Sequence, residues 1–516
     1  MRRLHLRLLL LTSLALTPFL CQAQVRLPNL FSDHMVLQRN MPVHIWGWSG
    51  PGEEVTVAFH EQNASTRGND IGQWSVYLSP ELAGGPYQLI VRSTTTATIS
   101  DILVGDVWLA SGQSNMEMPL KGLPSAIVKN SSETIKSATQ PQIRLLRLAP
   151  KSSAYPLNDI SATWTACTPE TAANFSAVAY FFGRDIQHQE NVPVGLIDST
   201  WGGTFIQSWI SFDRFASDLN LSQTFSWYSK MMDQQADFSL ATVLEKRADE
   251  AAKEAGKTLP VHPWHPGPDS FTPAVLFNSM IAPLTPFPIK GVIWYQGESN
   301  SLLALAGMYS HLFPALIMDW RSKWREGDFP FLYVQISTFD TTPGVDLKSK
   351  DFDWGTLRDA QRRALSLANT AMVVSLDVGD AQNIHPPDKE TVGSRLALAA
   401  RAIAYGETLE YSGPLFRQAV PQGAEICVSF GHANGLNVRG GSLDGFEVAG
   451  EDRQFFPASA RIDGSRVFVK SGKAPTPLYV RYAWANAPEA NLYNDAGLPA
   501  SAFTSEEQPL VGNVSR

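Results

Sequence analysis

The sequence predicts an α/β protein in which a mainly parallel sheet carries helices on both faces, with a β region before it and another after it. From about residue 101 to 408, apolar strands alternate with amphipathic helices, which is typical of βαβ units. Residues 24–100 and 409–516 instead contain short strands separated by turn residues, as in a β-sandwich. A chain of 516 residues is long enough for two to four domains.

Residues 1–23 have the layout of a secretory signal peptide. Arginines precede the apolar run Leu8–Leu20, and Ala23 closes the segment with the small residue that a signal peptidase prefers. A lipid anchor on Cys21 is the alternative, although Leu20 is large for the residue before such a site. No other stretch is long and apolar enough to cross a bilayer. We therefore expect an exported protein, secreted or periplasmic, that leaves the membrane when the signal is cleaved.

The composition excludes several classes of partner. The chain has 41 basic and 49 acidic residues, a net charge of -8 and no basic block, so a nucleic-acid partner is not expected. The 14 Trp and 13 Tyr can stack on sugar rings or fill a large core. Cys167 and Cys427 remain after signal cleavage, and they lack the spacing of a metal site. We expect two buried free thiols, with one long-range disulfide as the alternative, and no metal or other cofactor.

The two β regions are predicted from alternating apolar and polar residues. In residues 24–100 the strands are "MPVHIWGWSG", "EEVTVAFH", "QWSVYLSP" and "YQLIVRS". In residues 409–516 they are "AEICVSFGH", "GLNVRGG", "FEVAG", "SRVFVKSG" and "PLYVRYAW".

The core, residues 101–408, begins with the buried strand "DILVGDVWLA" and ends with the helix "DKETVGSRLALAARAIAY". Residues 205–285 interrupt the alternation with a charged helical stretch, 240–256, followed by "LPVHPWHPGPD". We interpret this as an insertion beside the active face. His262 and His265 resemble a metal pair only superficially, since no further ligands lie nearby in the sequence.

Small, polar residues follow several predicted strands of the core, and ligands of open α/β sheets bind at the carboxyl ends of the strands. The segments are 112–115 (GQSN), 199–204 (STWGGT), 296–300 (QGESN) and 383–386 (NIHP). Because parallel strands bring these ends to one edge, we expect them to form a single site.

Ser114 and His385 are the candidate catalytic pair. A serine hydroxyl attacks a carbonyl well only when a base removes its proton. His385 follows a late strand and precedes the last helix, and Pro386 and Pro387 restrict its backbone. A turn histidine that caps this helix is the alternative role for His385.

Gly202, Gly203 and Gln296 are candidates for an oxyanion hole, together with the backbone N–H of Ser114. The tetrahedral intermediate of ester hydrolysis carries negative charge on the former carbonyl oxygen, so hydrogen-bond donors must already point there. Glycine lets a backbone N–H approach without a side chain in the way, and a glutamine amide can add another donor.

Taken together, these segments resemble the sialate O-acetylesterase family, a branch of the SGNH (GDSL-like) hydrolases. The resemblance extends in order from about residue 24 to 405. It is carried by "LFSDHMVLQR", "GDVWLASGQSNMEMPL", "FSAVAYFFGRDI", "VPVGLIDSTWGGTFIQSWIS", "VIWYQGESN" and "IHPPDKETVGSRLA".

The resemblance implies a three-layer α/β/α hydrolase core that removes acetyl groups from sugar hydroxyls without a metal. It makes Ser114 the nucleophile and His385 the general base. A glycine of the Trp201–Gly203 turn would donate to the oxyanion, and an amide from Gln296 or Asn300 would complete the hole, with Gln296 preferred.

The chain departs from the superfamily at the acid that orients the histidine. An Asp-x-x-His arrangement is expected there, but Gln382 and Asn383 precede His385. Nearby carboxylates that could substitute are Asp377, Asp380 and Asp388. A Ser–His dyad, in which a backbone carbonyl or amide oxygen orients the ring, is the alternative.

Two further residues have alternative roles. Glu298 could act as a glycosidase acid, but no second carboxylate has comparable support, so we expect it to bond the backbone or the nucleophile's loop. Arg358 could bind a substrate carboxylate or serve the structure.

The sequence therefore predicts an exported carbohydrate O-acetylesterase that acts on acetylated sialic acid. The first alternative is the same chemistry on acetylated xylan or another plant glycan. The second is a glycan-binding protein without catalysis, in which the β regions bind sugar.

Overall fold

The computed structural model describes residues 24–124, 126–260, 262, 265–340 and 351–507. The predicted signal segment, 1–23, lies outside the described residues.

The N-terminal region consists of short strands in mostly antiparallel pairs and leads into one long strand, β7, with which β1 pairs in parallel. β3 pairs with β4 and β6, β2 pairs with β5, and β6 pairs with β7. β2 and β5 alternate between buried and more exposed residues, which explains their alternating sequences. The strands are β1 (Val36–Gln38), β2 (Val43–Trp48), β3 (Glu54–Phe59), β4 (Gln62–Arg67), β5 (Gln73–Leu78), β6 (Gly84–Arg92) and β7 (Thr96–Gly112).

The core contains a sheet with the strand order β13-β12-β11-β7-β10-β8-β9. The pairs from β13 to β8 are parallel, and β9 adds an antiparallel edge. The added strands are β8 (Gln140–Arg147), β9 (Thr165–Cys167), β10 (Val194–Thr200), β11 (Gly291–Tyr295), β12 (Phe331–Gln335) and β13 (Thr370–Val374).

β7 is the centre of this sheet and the point where its strand order reverses. The chain continues to β8 and β10 on one side and to β11, β12 and β13 on the other. From Ile102 onward β7 is buried at every residue, which explains its unbroken apolar run. A crevice at the carboxyl end of such a switch-point strand is where open α/β sheets bind ligands.

The helices of the core pack in pairs. α4 packs against α11, and α9 packs against α10. Residues 302–326 contain two helices, α8 and α9. The helices are α1 (Ser114–Glu117), α2 (Ser131–Lys136), α3 (Pro169–Ala173), α4 (Ala177–Glu190), α5 (Phe212–Ser217), α6 (Gln223–Glu254), α7 (Pro268–Phe271), α8 (Leu303–Ala306), α9 (Tyr309–Trp324), α10 (Trp354–Arg363) and α11 (Lys389–Ala404).

Within residues 205–285, α6 is much longer than the predicted 240–256 stretch and is largely exposed. His262 and His265 each contact a carboxylate of α6, Asp249 and Glu245, at 2.9 Å. These contacts hold His262 and His265 against α6.

The C-terminal region consists of small antiparallel sheets, with the orders β14-β15-β20-β19 and β18-β17-β21-β23 and the pair β16-β22. Its strands are β14 (Leu415–Gln422), β15 (Glu425–Gly431), β16 (Asn437–Val438), β17 (Phe446–Ala449), β18 (Phe456–Pro457), β19 (Ser459–Asp463), β20 (Arg466–Lys470), β21 (Tyr479–Tyr482), β22 (Leu492–Tyr493) and β23 (Phe503–Thr504). It joins the core through Gln335, whose amide exchanges hydrogen bonds with the backbone of Ala502.

The prediction of a mixed α/β protein with a mainly parallel central sheet and additional β regions is confirmed. The boundaries near residues 100 and 408 stay predictions, and β7 runs across the first of them. Cys167 and Cys427 are free and buried, as expected. Among the described helices, none combines the length and apolar character that a bilayer crossing requires.

Candidate active site

The turn after β7 presents Ser114. Gly112 has a φ of 134°, and a Cβ there would lie 2.2 Å from the carbonyl oxygen of Tyr295, so only glycine fits between β7 and β11. α1 begins immediately at Ser114. Ser114 is half-buried, whereas its neighbours Gln113 and Asn115 are buried. The turn therefore exposes the serine and anchors the residues on either side of it.

Gln113 fastens this turn to the loop after β11. Its N–H donates to the carbonyl oxygen of Tyr295 at 3.0 Å. Its side-chain Oε1 accepts the N–H groups of Gly297 at 3.4 Å and Ser299 at 3.2 Å. Two of the predicted strand ends are thereby joined.

The loop after β10 lies directly against Ser114. The Trp201 N–H donates to the carbonyl oxygen of Gly112 at 3.1 Å. A Cβ added at Gly202 would lie 3.3 Å from Ser114 Cβ and 2.8 Å from Glu117 Oε2. A side chain at Gly202 would therefore press on both Ser114 and Glu117.

The backbone donors of this loop differ in availability. The Gly202 N–H donates to Glu117 Oε2 at 2.6 Å, so the expectation that it stabilises an oxyanion is corrected. The N–H groups of Ser114 and Gly203 have no hydrogen-bond partner among the described residues. Gly203 follows Gly202, whose added Cβ would lie 3.3 Å from Ser114 Cβ, so both N–H groups are candidate donors for an oxyanion at Ser114.

Glu117 is a site residue that the sequence reasoning missed. It lies three residues after Ser114 on the same helical turn, and this spacing was the available signal. Burial raises the pKa of Glu117, and the Gly202 N–H and Arg147 oppose the shift. Arg147 also lies 3.5 Å from Asp198, whose pKa burial raises to about 6. A partly compensated acidic cluster thus borders the serine.

Gln296 and Asn300 are fully buried and are engaged away from Ser114. Gln296 Nε2 donates to the Thr204 carbonyl oxygen at 3.2 Å and to Asn300 Oδ1 at 2.7 Å. Asn300 Oδ1 accepts the N–H of Ile206 at 2.9 Å, and Asn300 Nδ2 donates to Gln207 Oε1 at 3.2 Å. The expectation that Gln296 donates directly to the oxyanion is therefore corrected, because both hydrogens of its Nε2 are engaged. Gln296 would have to release one of these bonds to reach an oxyanion. The role given to Asn300 stays a prediction.

Glu298 bonds the nucleophile's loop, as the sequence led us to expect. Its Oε1 accepts from Asn115 Nδ2 at 2.5 Å. The side chain is buried, and its Oε2 has no partner among the described residues. Burial accordingly raises the pKa of Glu298.

His385 is brought to the nucleophile's turn through its neighbour Ile384. The Ile384 carbonyl oxygen accepts from Asn115 Nδ2 at 2.9 Å, so the residues adjacent to His385 and Ser114 are in direct contact. Burial, and to a smaller extent the charge of Lys389, lowers the pKa of His385 to about 4. The imidazole is therefore neutral at pH 7, as a general base must be. Among the described residues no hydrogen bond joins it to the Ser114 hydroxyl.

The nearby carboxylates are occupied elsewhere. Asp377 pairs with Arg395 at 2.7 Å. Asp380 accepts the N–H of Gln382, and Asp388 caps α11 and pairs with Lys129. None of these carboxylates contacts the imidazole of His385 among the described residues.

Asn383 and Gln382 do not support the imidazole either. Asn383 Oδ1 accepts the backbone N–H of His385 at 2.9 Å, which stabilises the loop and leaves the ring untouched. Gln382 is exposed. The structure therefore corrects the expectation that one of them orients the ring, and the Ser–His dyad stays a prediction.

Arg358 is a structural residue, which corrects its candidacy as a ligand for substrate. It is fully buried, and burial lowers its pKa to about 9. Within the part of the chain that the structure describes, its guanidinium donates only to backbone carbonyl oxygens, those of Ile336, Ser337, Ala485 and Asn486. Arg358 thus ties the C-terminal region to the core.

Comparison with known proteins identifies the family of this chain. The profile of a carbohydrate esterase family, the sialic acid-specific acetylesterases, matches residues 104–244 and 254–402. These residues include all the strand ends described above. The chain belongs to this family. It is accordingly a carboxylic ester hydrolase, and the resemblance found in the sequence is confirmed.

Relatives of the family cover nearly the whole chain. Sialate O-acetylesterase of Mus musculus is 30% identical over 93% of this chain and 94% of the mouse protein. The Homo sapiens sialate O-acetylesterase is also 30% identical, over 93% of this chain and 92% of the human protein. The crystal structure of a carbohydrate acetylesterase from Xanthomonas citri superposes with a TM-score of 0.78 at 37% identity, and covers 94% of this chain and 100% of that one.

Proposed function

We propose that this esterase removes acetyl groups from sugar hydroxyls, with Ser114 as nucleophile and His385 as general base. The observation that carries the proposal is the meeting of the strand ends at Ser114. The half-buried hydroxyl lies beside two available N–H donors, and Asn115 binds the backbone next to the base.

The mechanism follows from this arrangement. His385 accepts the proton of Ser114 Oγ while the oxygen attacks the acetyl carbonyl, and the N–H groups of Ser114 and Gly203 stabilise the oxyanion. As the intermediate collapses, the imidazolium returns the proton to the departing sugar oxygen. Water then attacks the acetyl-enzyme with His385 again as base, and acetate leaves. The contact between Ser114 and His385 forms when substrate is bound, as is common for catalytic hydrogen bonds that are absent in unliganded enzymes.

We propose further that the core is of the three-layer SGNH type and that the protein is exported. The packing of α4 on α11 and of α9 on α10 supports the first. The layout of residues 1–23 supports the second.

Acetylated sialic acid is the proposed substrate because the curated mammalian relatives are sialate O-acetylesterases. One observation favours the alternative, a neutral acetylated sugar such as that of xylan. Sialic acid carries a carboxylate, and Glu117 places a second carboxyl group beside Ser114. An ionised Glu117 would repel that carboxylate, and Arg147, the cation that acts on Glu117, is exposed to solvent.

Replacing Ser114 with Ala tests the chemistry. We expect S114A to lose turnover of an aryl acetate while keeping its circular dichroism spectrum and thermal midpoint. Ser394→Ala is the matched control, since Ser394 is also half-buried in the core but hydrogen-bonds Asp185 on α4. An unchanged rate in S114A would exclude the assigned nucleophile. Sugar binding without acetate release by the unmodified protein would favour the glycan-binding alternative.

The acetate released from O-acetylated sialic acid and from acetylated xylo-oligosaccharides, compared at equal concentration, identifies the substrate. A higher kcat/KM on the neutral oligosaccharides would support the alternative.

A further inference from the structure

Three buried polar side chains form a network behind Ser114. Asn115 follows the nucleophile on α1, Glu298 lies in the loop after β11, and Lys389 begins α11. They are 1%, 3% and 0% exposed. Charged side chains are seldom this buried, so their presence calls for an explanation.

The chemistry of the partners fixes the orientation of the Asn115 amide. As a cation Lys389 Nζ donates, and it lies 2.5 Å from Asn115 Oδ1. Glu298 Oε1 and the Ile384 carbonyl oxygen accept from Asn115 Nδ2, at 2.5 Å and 2.9 Å. A flipped amide would set donor against donor and acceptor against acceptor. The Ile384 carbonyl oxygen, which can only accept, therefore permits a single orientation, and the charged forms of Lys389 and Glu298 reinforce it.

That orientation links the two proposed catalytic segments. Asn115 is bonded covalently to Ser114, and Ile384 is bonded covalently to His385. The hydrogen bond between Asn115 and Ile384 is thus the shortest described connection between nucleophile and base. Apolar side chains of the same volume could fill this space without removing charges from water, so stability alone does not account for the network.

We propose that Asn115 is the positioning residue that holds Ser114 in register with His385, and that Lys389 and Glu298 lock its amide for this purpose. The inference rests on the proposed function, since it assumes that Ser114 and His385 perform the reaction.

The network also places a cation close to the base. Lys389 is the charge that acts on His385. The other groups around the pair are Asp388, which Lys129 neutralises, Glu298, and the ring of Tyr295, which lies 5.8 Å from Lys389 Nζ. Burial lowers the pKa of Lys389 to about 7, while Glu298 opposes the shift.

The first test separates positioning from folding. We expect Asn115→Ala to lower kcat about 100-fold, the usual cost of a misplacement of about 1 Å, while KM stays within about twofold. Asn494→Ala is the matched control, because Asn494 is equally buried and its amide also donates to two carbonyl oxygens, those of Ser412 and His432. This control should lower the thermal midpoint and leave kcat unchanged. If kcat of Asn115→Ala stays within about threefold of the unmodified enzyme while S114A is inactive, the inference is wrong and the proposed function stands. If S114A itself is active, the proposed function is wrong, and the inference that rests on it is wrong as well.

The second test uses a property that a purely structural role would not change. Lys389→Met keeps the approximate length of the side chain and removes the cation that lowers the pKa of His385. The acid limb of the pH profile, where kcat/KM falls as the pH decreases, should therefore move to higher pH by about one unit. Lys290→Met is the control, since Lys290 stacks on Tyr405 away from Ser114. Adding Glu298→Gln to Lys389→Met should restore part of kcat, because it removes the buried carboxyl group that Lys389→Met leaves without a counter-charge. An unmoved acid limb together with an unchanged kcat in Lys389→Met would overturn the inference, even if Asn115→Ala proved too unstable to assay.

Discussion

The lowered pKa of His385 leads to a prediction about activity in acid. Protonation removes the general base, so kcat/KM should fall as the pH decreases through the pKa of the imidazole in the free enzyme. That pKa is lowered to about 4, mainly because burial disfavours the charged ring. At pH 5 about 90% of the base is then neutral, whereas a histidine with the ordinary value of about 6.5 would be only about 3% neutral. The enzyme should keep most of its kcat/KM at pH 5.

The measurement is kcat/KM on an acetylated oligosaccharide between pH 3.5 and 8, with released acetate quantified after quenching. Folding must be followed in parallel by circular dichroism. The unfolded chain binds this proton near pH 6.5 and the folded chain near pH 4, so His385 lowers the stability as the pH decreases between these values. A half-maximal kcat/KM near pH 6.5, in protein that is still folded, would refute the assignment of His385 as a buried base.

Other predictions concern single side chains. Gly202→Ala should lower kcat about tenfold or more, because the added Cβ would press on Ser114 and Glu117. Gly307→Ala is the control and should leave kcat unchanged, because an added Cβ at Gly307 has no atom within 4 Å. Arg358→Met should lower the free energy of unfolding by about 3 kcal/mol or more, since it removes the donors of several buried carbonyl groups. The thermal midpoint should fall while kcat at low temperature stays unchanged. An unaltered midpoint would contradict the role given to Arg358. Cys167 and Cys427 are both buried, so both should react with a disulfide reagent only after denaturation. Burial also raises the pKa of the Cys167 thiol to about 12. Fast labelling of native protein would show that the buried placement is wrong.

The sequence predicted the parts of the site that follow from strand order. Ser114 and the Trp201–Gly203 turn come directly after buried apolar runs, and parallel strands must bring such ends together. His385 could be placed near them for the same reason, and Glu298 could be assigned to the nucleophile's loop. These inferences need only the order and direction of the strands.

Other residues could not be placed because their partners come from distant segments. Lys389 and Arg358 are charged, and charged residues are expected at the surface unless tertiary structure supplies partners. Gln296 has a suitable amide at a suitable strand end, but Thr204 and Asn300 occupy its hydrogens. Asn115 adjoins the nucleophile, and only the fold shows that its side chain reaches the loop of the base.

The course of β7 has a consequence for how this enzyme can be divided or rearranged. The strand is 17 residues long, pairs with β6 and β1 in its first part and with β10 and β11 in its last, and ends where Ser114 begins α1. No hinge separates the N-terminal region from catalysis, so that region cannot swing as a lid or be exchanged as a detachable module. A truncated chain that starts at residue 101 would strip one flank from the strand that carries the nucleophile. Recombination with other esterases should therefore succeed at the loops of residues 205–285 and fail at the apparent border near residue 100.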